Sequence, residues 1–139
     1  MTSDQLVLVW LLIEAEGALL LGRRKADLPP FAAQWTPPGD LMRAEESAVE
    51  TIGRFSGEQL DISVVDFEFA STVYLREGSD YAVNLFRVTS YEGSPRFRAS
   101  GPYEEVRWVA PADLKIENDY PMPAALRQAL VSTGEGSPQ

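Results

Sequence analysis

The sequence of 139 residues contains neither cysteine nor histidine. The absence of cysteine excludes disulfides, thiolate metal sites and cysteine nucleophiles. The absence of histidine removes the commonest metal-ligating side chain, the commonest general base and every Ser–His catalytic arrangement. Any acid–base or metal chemistry must therefore use carboxylates, lysine, tyrosine or bound water.

Positive charge is also scarce, because 12 Lys and Arg face 21 Asp and Glu, which gives a net charge of −9. Nucleic-acid polymers are bound by basic surfaces, so no such partner is expected. The longest apolar run, Leu6 to Ile13, is much shorter than the roughly 20 residues that span a bilayer. The run also lacks the basic flank of a signal peptide. We expect a cytoplasmic protein with no membrane partner.

The chain has the length of one domain, and we predict a single domain over residues 1–139. Leu6 to Ile13 is typical of a strand covered on both faces, and Ala18 to Gly22 of the strand that returns from it. Ser71 to Leu75 and Tyr81 to Thr89 flank a polar turn and predict an antiparallel hairpin. Trp10 and Trp108 are expected in the core.

Two helices are predicted. The first runs from about Glu45 to Glu58, with an apolar face formed by Ala48, Val49, Ile52 and Phe55. The second runs from Pro121 to Val131, with Ala125, Leu126, Ala129 and Leu130 on its buried side. The polar tail from residue 132 is predicted to be disordered. Strands followed by helices in this order predict an α/β (α+β) fold with a mixed central sheet.

A motif begins at Gly39. Five residues separate it from Glu45, and seven more lead to the segment Gly53 to Asp61. This spacing resembles the box of the Nudix hydrolases, which reads Gly, five residues, Glu, seven residues, then Arg-Glu-apolar-any-Glu-Glu-any-Gly-apolar. Without a gap, four positions agree: Gly39, Glu45, Phe55 and Glu58. Four depart from the pattern: Gly53, Arg54, Gly57 and Leu60.

A shift of one residue is the alternative alignment. It places Arg54 at the arginine of the box, but it also places Ser56 at the apolar position. We prefer the alignment without a gap, because Phe55 continues the apolar face of the predicted helix.

Three further segments resemble the same family. Leu19 to Arg24 is similar to its second strand, and Gln34 to Gly39 to the segment that usually reads Trp-apolar-Pro-Gly-Gly. Glu105 to Val109, followed by Pro111 and Leu114, is similar to its late strand and short helix. The resemblance covers nearly the whole chain and implies a Nudix-type α/β/α sandwich.

By resemblance, the protein is a hydrolase of the phosphoanhydride bond in a nucleoside-diphosphate-linked or nucleotide substrate, a pyrophosphohydrolase that requires Mg²⁺ or Mn²⁺. Glu58 and Glu45 are then the catalytic residues. In the alignment without a gap, Arg54 and Gly57 replace two of the three metal-helix carboxylates. The alternative is therefore an inactive Nudix fold that binds a nucleotide or a protein partner. The family also makes a homodimer possible.

The altered helix allows three interpretations. Glu58 holds one metal ion together with an acid from elsewhere, Glu104 or Glu105. Alternatively, Arg54 contacts a phosphate through its planar donors, and the protein binds without cleaving. In the third interpretation Arg54 only forms weak surface pairs with the helix acids four residues away. Glu46 and Glu50, one turn apart, are candidate replacement ligands.

The remaining candidates bind substrate. Arg23 and Arg24 are candidates for contacting phosphates at the mouth of the site, although basic residues after a strand are usually solvated. Trp35 is a candidate for stacking on a base, as are Phe31 and Tyr103. For Trp35 the alternative is a place in the core.

Overall fold

The computed structural model describes residues 5–97, 101–115 and 119–135. Its eight strands are β1 (Gln5–Leu12), β2 (Glu14–Ala15), β3 (Ala18–Arg24), β4 (Trp35–Thr36), β5 (Gly39–Leu41), β6 (Ser63–Glu77), β7 (Ser79–Glu92) and β8 (Tyr103–Val109). Its α-helices are α1 (Ala48–Phe55), which continues into a π-helical turn (Ser56–Leu60), and α2 (Ala124–Glu135). A 3-10 helix (Pro111–Lys115) follows β8.

The larger sheet has the order β5-β1-β7-β6. Strands β1 and β7 are parallel along the whole of β1, while β5 and β6 are antiparallel to their neighbours. The second sheet has the order β2-β3-β4, with β8 paired to β3 and all pairs antiparallel. The predicted α+β fold with a mixed sheet is therefore confirmed.

Strand β1 is buried on both faces, as its uninterrupted apolar run predicts. Leu8, Trp10 and Leu12 belong to one hydrophobic cluster, which also contains Leu126 and Leu130 of α2. Successive side chains of a strand point to opposite faces of the sheet. The intervening residues Val9, Leu11 and Ile13 therefore join a second cluster, which contains Ile52 and Phe55 of α1 and Leu60 of the π-helical turn.

Helix α1 begins later than the sequence predicts. Ser47 caps it, and the side chains of Ser47 and Glu50 each accept a backbone N–H of the other, which forms a capping box. Glu45 and Glu46 consequently lie before the helix. Val49 is 62% exposed, so its predicted place on the apolar face is wrong. The helix is short and buries only one side.

The predicted hairpin is confirmed and is longer than expected, since β6 begins at Ser63 and β7 ends at Glu92. Helix α2 begins after the prolines rather than at Pro121, and it buries Leu126 and Leu130 but leaves Ala125 exposed. It continues to Glu135, and the disordered tail from about residue 132 stays a prediction. Residues 136–139 lie outside the described residues.

Trp108 is 43% exposed, which corrects its predicted core position. Among the described strands β8 pairs only with β3, and one side of an edge strand is left open. Trp10, in the central strand β1, is buried as predicted. In the described part of the chain, the structure has no helix with the length and apolarity needed to cross a membrane.

Candidate functional site

Three charged side chains join the strand β5 to helix α1, and we call Asp40, Glu46 and Arg54 the Arg54 clasp. Nε of Arg54 donates to Oε2 of Glu46 at 2.7 Å, and Nη2 donates to Oε1 of Glu46 at 3.0 Å. Nη1 donates to Oδ2 of Asp40 at 2.8 Å, and Nη2 also donates to the backbone oxygen of Leu41 at 3.2 Å. Every nitrogen of the guanidinium therefore has a partner within the chain.

The local fold explains this arrangement. Side chains of an α-helix point back toward its N-terminus, so Arg54 in the last turn of α1 reaches Glu46, which precedes the cap. Strand β5 brings Asp40 to the same place because Gly39 lies against β1. A Cβ atom at Gly39 would clash with the backbone oxygen of Val9 and with Trp10.

The clasp is only partly exposed, and its charges influence one another. The side chains of Arg54, Glu46 and Asp40 are 11%, 14% and 36% exposed. Bonding to Arg54 lowers the pKa of Glu46 from 4.5 to about 2, and the backbone N–H of Arg43 and the hydroxyl of Thr51 act in the same direction. The hydrogen bond that Arg54 donates to Glu46, followed by the one it donates to Asp40, raises the pKa of Arg54. Glu46 and Arg54 are thus both charged at neutral pH.

The geometry favours the one-residue shift of the box, which the sequence analysis set aside. Glu46 and Arg54 are bonded, and they are separated by the seven residues that the box requires between its Glu and its Arg. Ser56, at the apolar position, is buried. Asp61, at the closing Gly, has a φ of 58°, in the left-handed region that favours glycine.

The predicted catalytic residues are not brought together. Glu45 is exposed in a turn at a φ of 68°, and it is Glu46 that bonds Arg54. Glu58 is exposed on the π-helical turn, and its carboxylate forms no ion pair or hydrogen bond with another described residue. Arg54, expected either to contact phosphate or to form weak surface pairs, is instead part of the clasp.

The predicted metal ligands also have other partners. Glu104 lies 2.8 Å from Nε of Arg23, and Glu105 lies 3.3 Å from Nη2 of the same side chain. Glu105 also bonds Nε of Arg107 at 2.8 Å. Glu58 is not joined to either of them.

The described residues do not provide the set of ligands that the family's divalent metal ion requires. Magnesium prefers oxygen ligands from carboxylates and phosphates. No group of three or more acidic side chains that could hold a metal ion occurs within residues 5–97, 101–115 and 119–135. Both carboxylates of the clasp are bonded to Arg54, whose charge repels a cation. The residues present do not fit the metal site that the family implies.

A cavity of about 200 Å³ lies beside the clasp and is open to solvent on one side. Its walls come from β1, the end of β3 and the loop after it, β5 and β7. They consist of Leu8, Trp10, Arg24, Pro29, Pro30, Phe31, Gly39, Asp40, Leu41 and Tyr81. Phe31 is at the centre of the aromatic part, with ring centroids 5.7 Å from both Trp10 and Tyr81. Arg24 and Asp40 are the charged residues of the lining.

The predicted substrate-binding residues divide between this cavity and other places. Arg24 lines the cavity, where its Nε donates to the backbone oxygen of Pro30 at 2.7 Å. Its neighbour Arg23 points elsewhere and pairs with Glu104 and Glu105. Arg24 is therefore the one of these two arginines that lines the cavity.

The aromatic candidates also divide. Phe31 lines the cavity, whereas Trp35 does not. Trp35 is buried, with Cζ of Arg23 and Cζ of Arg107 each 5.9 Å from its ring, which agrees with the core alternative. Tyr103 is also buried, and its hydroxyl donates to the backbone oxygen of Pro37 at 3.2 Å. Burial raises the pKa of Tyr103.

Asp40 is not among the residues predicted from the sequence, and Glu46 is predicted only as a possible replacement ligand. The seven residues between Glu46 and Arg54 were a signal for Glu46, since this is the spacing of the box. Asp40 had a weaker signal, namely its position directly after the glycine that β5 requires. Trp10 and Tyr81 had none, because a strand residue in the core and one beside a cavity look the same in sequence.

Solved structures of related proteins share this fold. A MutT protein from Methanosarcina mazei Go1 superposes with a TM-score of 0.81 at 22% identity, over 98% of this chain and 96% of that one. A MutT NUDIX hydrolase from Burkholderia pseudomallei has a TM-score of 0.77 at 23% identity, over 91% and 96% of the two chains.

A third similar structure was solved with a ligand. It is the NUDIX domain of Shewanella oneidensis NrtR complexed with ADP ribose, with a TM-score of 0.70 at 19% identity, over 97% of this chain and 89% of that one. No curated protein matches the chain in sequence. The sequence pattern described as NUDIX domain, however, matches residues 4–130, from β1 to within α2. With most of its length matched, the chain belongs to the NUDIX domain family.

Proposed function

We propose that this protein binds a nucleotide-type small molecule in the cavity beside the Arg54 clasp and does not cleave it by metal-assisted hydrolysis. The observation that carries the proposal is the clasp itself. Asp40, the acid among the lining residues of the cavity, and Glu46 are both bonded to Arg54. Acids in this state support the loop and helix and do not serve as metal ligands.

The chemistry of hydrolysis supports the proposal. Adjacent phosphates repel an attacking hydroxide, and a hard cation offsets that charge and activates the water. A cation bound at either carboxylate of the clasp would lie beside the like charge of Arg54. The side chain of Arg54 is only 11% exposed, so solvent screens that repulsion weakly.

The cavity and one relative support the binding half of the proposal. The cavity is concave, and most of its lining residues are apolar or aromatic, with two charged residues among them, as is usual for small-molecule sites. The NUDIX domain of NrtR, which has the same fold, was solved with ADP ribose. A ligand of that chemical class is therefore the first to test here.

Hydrolysis is the second candidate, because two of the similar structures are a MutT protein and a MutT NUDIX hydrolase. In this chain hydrolysis would depend on Glu58, which stands at a glutamate position of the box. Glu58 is exposed, and its carboxylate forms no ion pair or hydrogen bond with another described residue. A single protein carboxylate together with substrate phosphates is the least with which Mg²⁺ is bound.

Calorimetric titration separates the two candidates. ADP-ribose is titrated into the protein with EDTA and again with Mg²⁺ or Mn²⁺, and product formation is followed in the same samples. We expect ADP-ribose to bind equally well in both conditions without turnover. Affinity that rises at least tenfold with metal, together with hydrolysis, would overturn the proposal.

Two matched variants identify the source of any activity. Glu58→Gln removes the exposed acid of the π-helical turn, and Glu77→Gln removes an exposed acid at the end of β6. If turnover occurs and only Glu58→Gln abolishes it, the second candidate is correct. If both variants bind ADP-ribose as the natural protein does, Glu58 has no part in binding.

A further inference from the structure

Strand β6 leaves a long edge of the larger sheet open. The order β5-β1-β7-β6 places it last, and no other described strand pairs with its outer side. At 15 residues β6 is also much longer than the opposite edge strand β5, which has three. We propose that β6 is the interface of a homodimer, in which the β6 strands of two copies pair antiparallel about a two-fold axis near Ser71. This inference is independent of what the cavity binds.

The edge lacks several of the features that keep strands from associating. An unpaired strand edge offers N–H and C=O groups to another chain, and proteins protect such edges by shortness, proline, lysine or bulges. Strand β6 contains neither proline nor lysine. Its register shifts lie between Val64 and Ser71, so its pairing with β7 is regular from Ser71 to Glu77. The second half of β6 therefore keeps an open edge without a bulge.

Exposed apolar side chains are concentrated on this strand. In the described part of the chain seven large apolar side chains are exposed, and three of them lie on β6: Val65 at 58%, Phe69 at 58% and Tyr74 at 69%. The other four lie on four different segments, at Leu28, Leu41, Val49 and Trp108. Single exposed apolar residues are normal, whereas a group of them marks a surface that binds another protein.

A bulge in β6 brings its two exposed aromatic rings to one face of the sheet. Side chains five residues apart lie on opposite faces of a regular strand. Phe69 pairs with Phe86 and Tyr74 with Ala82, on either side of the register shift that follows Phe69. Phe86 and Ala82 are four residues apart in β7 and share a face, so Phe69 and Tyr74 share it too. The ring of Phe86 lies 5.7 Å from that of Phe69 and supports it.

The two exposed rings are placed to meet in a symmetric pair. Phe69 lies two residues before Ser71, and Tyr74 lies three residues after it. In an antiparallel pair centred near Ser71, Tyr74 of one copy therefore lies beside Phe69 of the other, as an opposite or diagonal neighbour. The two-fold axis forms this contact twice. Aromatic pairs of this kind stabilise neighbouring strands.

The charges along β6 are also complementary under this symmetry. Asp66 and Arg76 are each five residues from Ser71, so antiparallel pairing brings the acid of one copy to the end that carries the arginine of the other. The side chain of Arg76 is 75% exposed, so it can contact a second carboxylate in addition to Asp80, its partner within the chain. A second copy of the chain therefore matches the edge in both apolar and charged contacts.

The edge also has the space and the area that a partner strand needs. A groove of about 510 Å³ lies between β6 and α2, and Ala70, Ser71 and Thr72 of the strand line it together with Ala129 and Ser132 of the helix. At about 3.3 Å per residue, the 15 residues of β6 span roughly 50 Å. A contact strip of that length and about 10 Å wide covers roughly 1,000 Å² on the two copies together, near the lower limit for a specific interface.

Sedimentation velocity measures the association of the natural protein. The ionic strength is set to about 0.15 M, so that the repulsion between copies with a net charge of −9 is screened beyond about 8 Å. We expect a reversible dimer with a dissociation constant of about 1–100 µM, which suits an interface of the lowest size class. A protein that is still monomeric at about 500 µM would overturn the proposal and leave the edge to an extended peptide from another protein.

Tyr74→Lys tests the aromatic contact. It removes the ring twice per dimer and introduces the lysine that protects strand edges, so the dissociation constant should rise at least about tenfold. Trp108→Lys is the matched control, because Trp108 is an exposed aromatic residue on β8 at the edge of the second sheet. It should change the dissociation constant by less than about twofold. Thermal unfolding of both variants is recorded first. An equal or larger effect of Trp108→Lys would place the interface elsewhere and overturn the proposal.

Cross-linking tests the symmetry, and it decides the question if Tyr74→Lys does not fold. The chain contains no cysteine, so an introduced cysteine is the only thiol. In Ser71→Cys the two thiols of a dimer lie near the axis, and a short bismaleimide joins them when each sulfur adds to one of its double bonds. Ser94→Cys, at an exposed serine after the end of β7, is the matched control away from the axis.

We expect a band of doubled mass on a denaturing gel for Ser71→Cys and none for Ser94→Cys. Equal yields in the two variants would mean that the copies meet at another surface. No cross-link in Ser71→Cys, while the variant still sediments as a dimer, would likewise overturn the proposal.

Discussion

The Arg54 clasp and the π-helical turn lie in one segment, Asp40 to Leu60, but their acidic side chains have opposite environments. At one end, the Arg54 clasp joins two acids and one guanidinium that keep the Glu–Arg spacing of the family box. At the other, the π-helical turn points Leu60 into the core and leaves Glu58 in solvent. The comparison shows that a chain can keep the bonded Glu–Arg pair of the motif while the acids that bind metal in the family are altered.

Phe55 lies between Arg54 and the π-helical turn. In the shifted alignment it stands where the box has the glutamate that follows its arginine. Phe55 is completely buried beside Ile52 and Leu60 in the second hydrophobic cluster. A side chain in this position stabilises the packing of α1 on the sheet and cannot reach a solvated ion.

The largest expected effect comes from replacing Phe55 by the glutamate that the box has at this position in the shifted alignment. Phe55→Glu removes a buried ring, worth about 3–5 kcal/mol, and adds a carboxylate without a partner. We expect the variant to be unfolded or nearly so at neutral pH, as measured by urea denaturation followed by circular dichroism. Phe55→Leu, which stays apolar, should lose only about 1–2 kcal/mol. A stable Phe55→Glu protein that gains Mn²⁺ binding would show that the position is a metal position after all.

A smaller effect is expected at the clasp. Arg54→Met leaves Asp40 and Glu46 without their cation and removes several charge-assisted hydrogen bonds, so the free energy of unfolding should fall by about 2–4 kcal/mol. The matched control is Arg76→Met, which breaks the exposed pair with Asp80 and should cost less than about 1 kcal/mol. Equal losses in the two variants would mean that the clasp contributes no more than a surface ion pair.

The smallest effect is confined to acidic pH and concerns Glu46. Its pKa is lowered from 4.5 to about 2 in the folded protein, chiefly by Arg54. A lowered carboxyl pKa stabilises the folded state above pH 4.5, and this contribution is lost as the pH falls toward 2. The melting temperatures of the natural protein and Glu46→Gln should therefore differ most above pH 4.5 and converge toward pH 2.

Arg54→Met supplies the control for this pH dependence. Without the guanidinium, the main cause of the lowered pKa is gone, so adding Glu46→Gln should change the melting temperature by a similar amount across pH 2 to 7. A gap between the natural protein and Glu46→Gln that stays constant down to pH 2 would contradict the assignment to Glu46.

The alignment of the box illustrates why part of the site was not predictable from the chain alone. Glu45 and Glu46 are adjacent, and a spacing rule distinguishes them by only one residue. Phe55 has the apolar character that favoured one alignment, while the pair of Glu46 with Arg54 favours the other. Only the fold shows that Glu45 lies in an exposed turn and that Glu46 faces the arginine.

The cavity was hidden for a different reason. Its lining comes from β1, the end of β3 and the loop after it, β5 and β7, and the pairings of β1 with β5 and β7 join segments far apart in the chain. Phe31 and Arg24 were named as candidates in advance, but Trp10 was expected in the core and Tyr81 only as part of a hairpin strand. Homodimer formation stays a prediction, and so does the cytoplasmic location.

The sequence by itself determined the mixed fold, the doubly covered strand β1, the long hairpin and the family, because local periodicity, turn residues and composition act within short stretches of chain. Tertiary structure alone decided which acids are bonded to Arg54, which arginine faces the cavity and why Asp40 belongs to its wall. These properties depend on the direction of a side chain and on what lies opposite it. A change of one residue in register reverses that direction in a strand and rotates it around a helix.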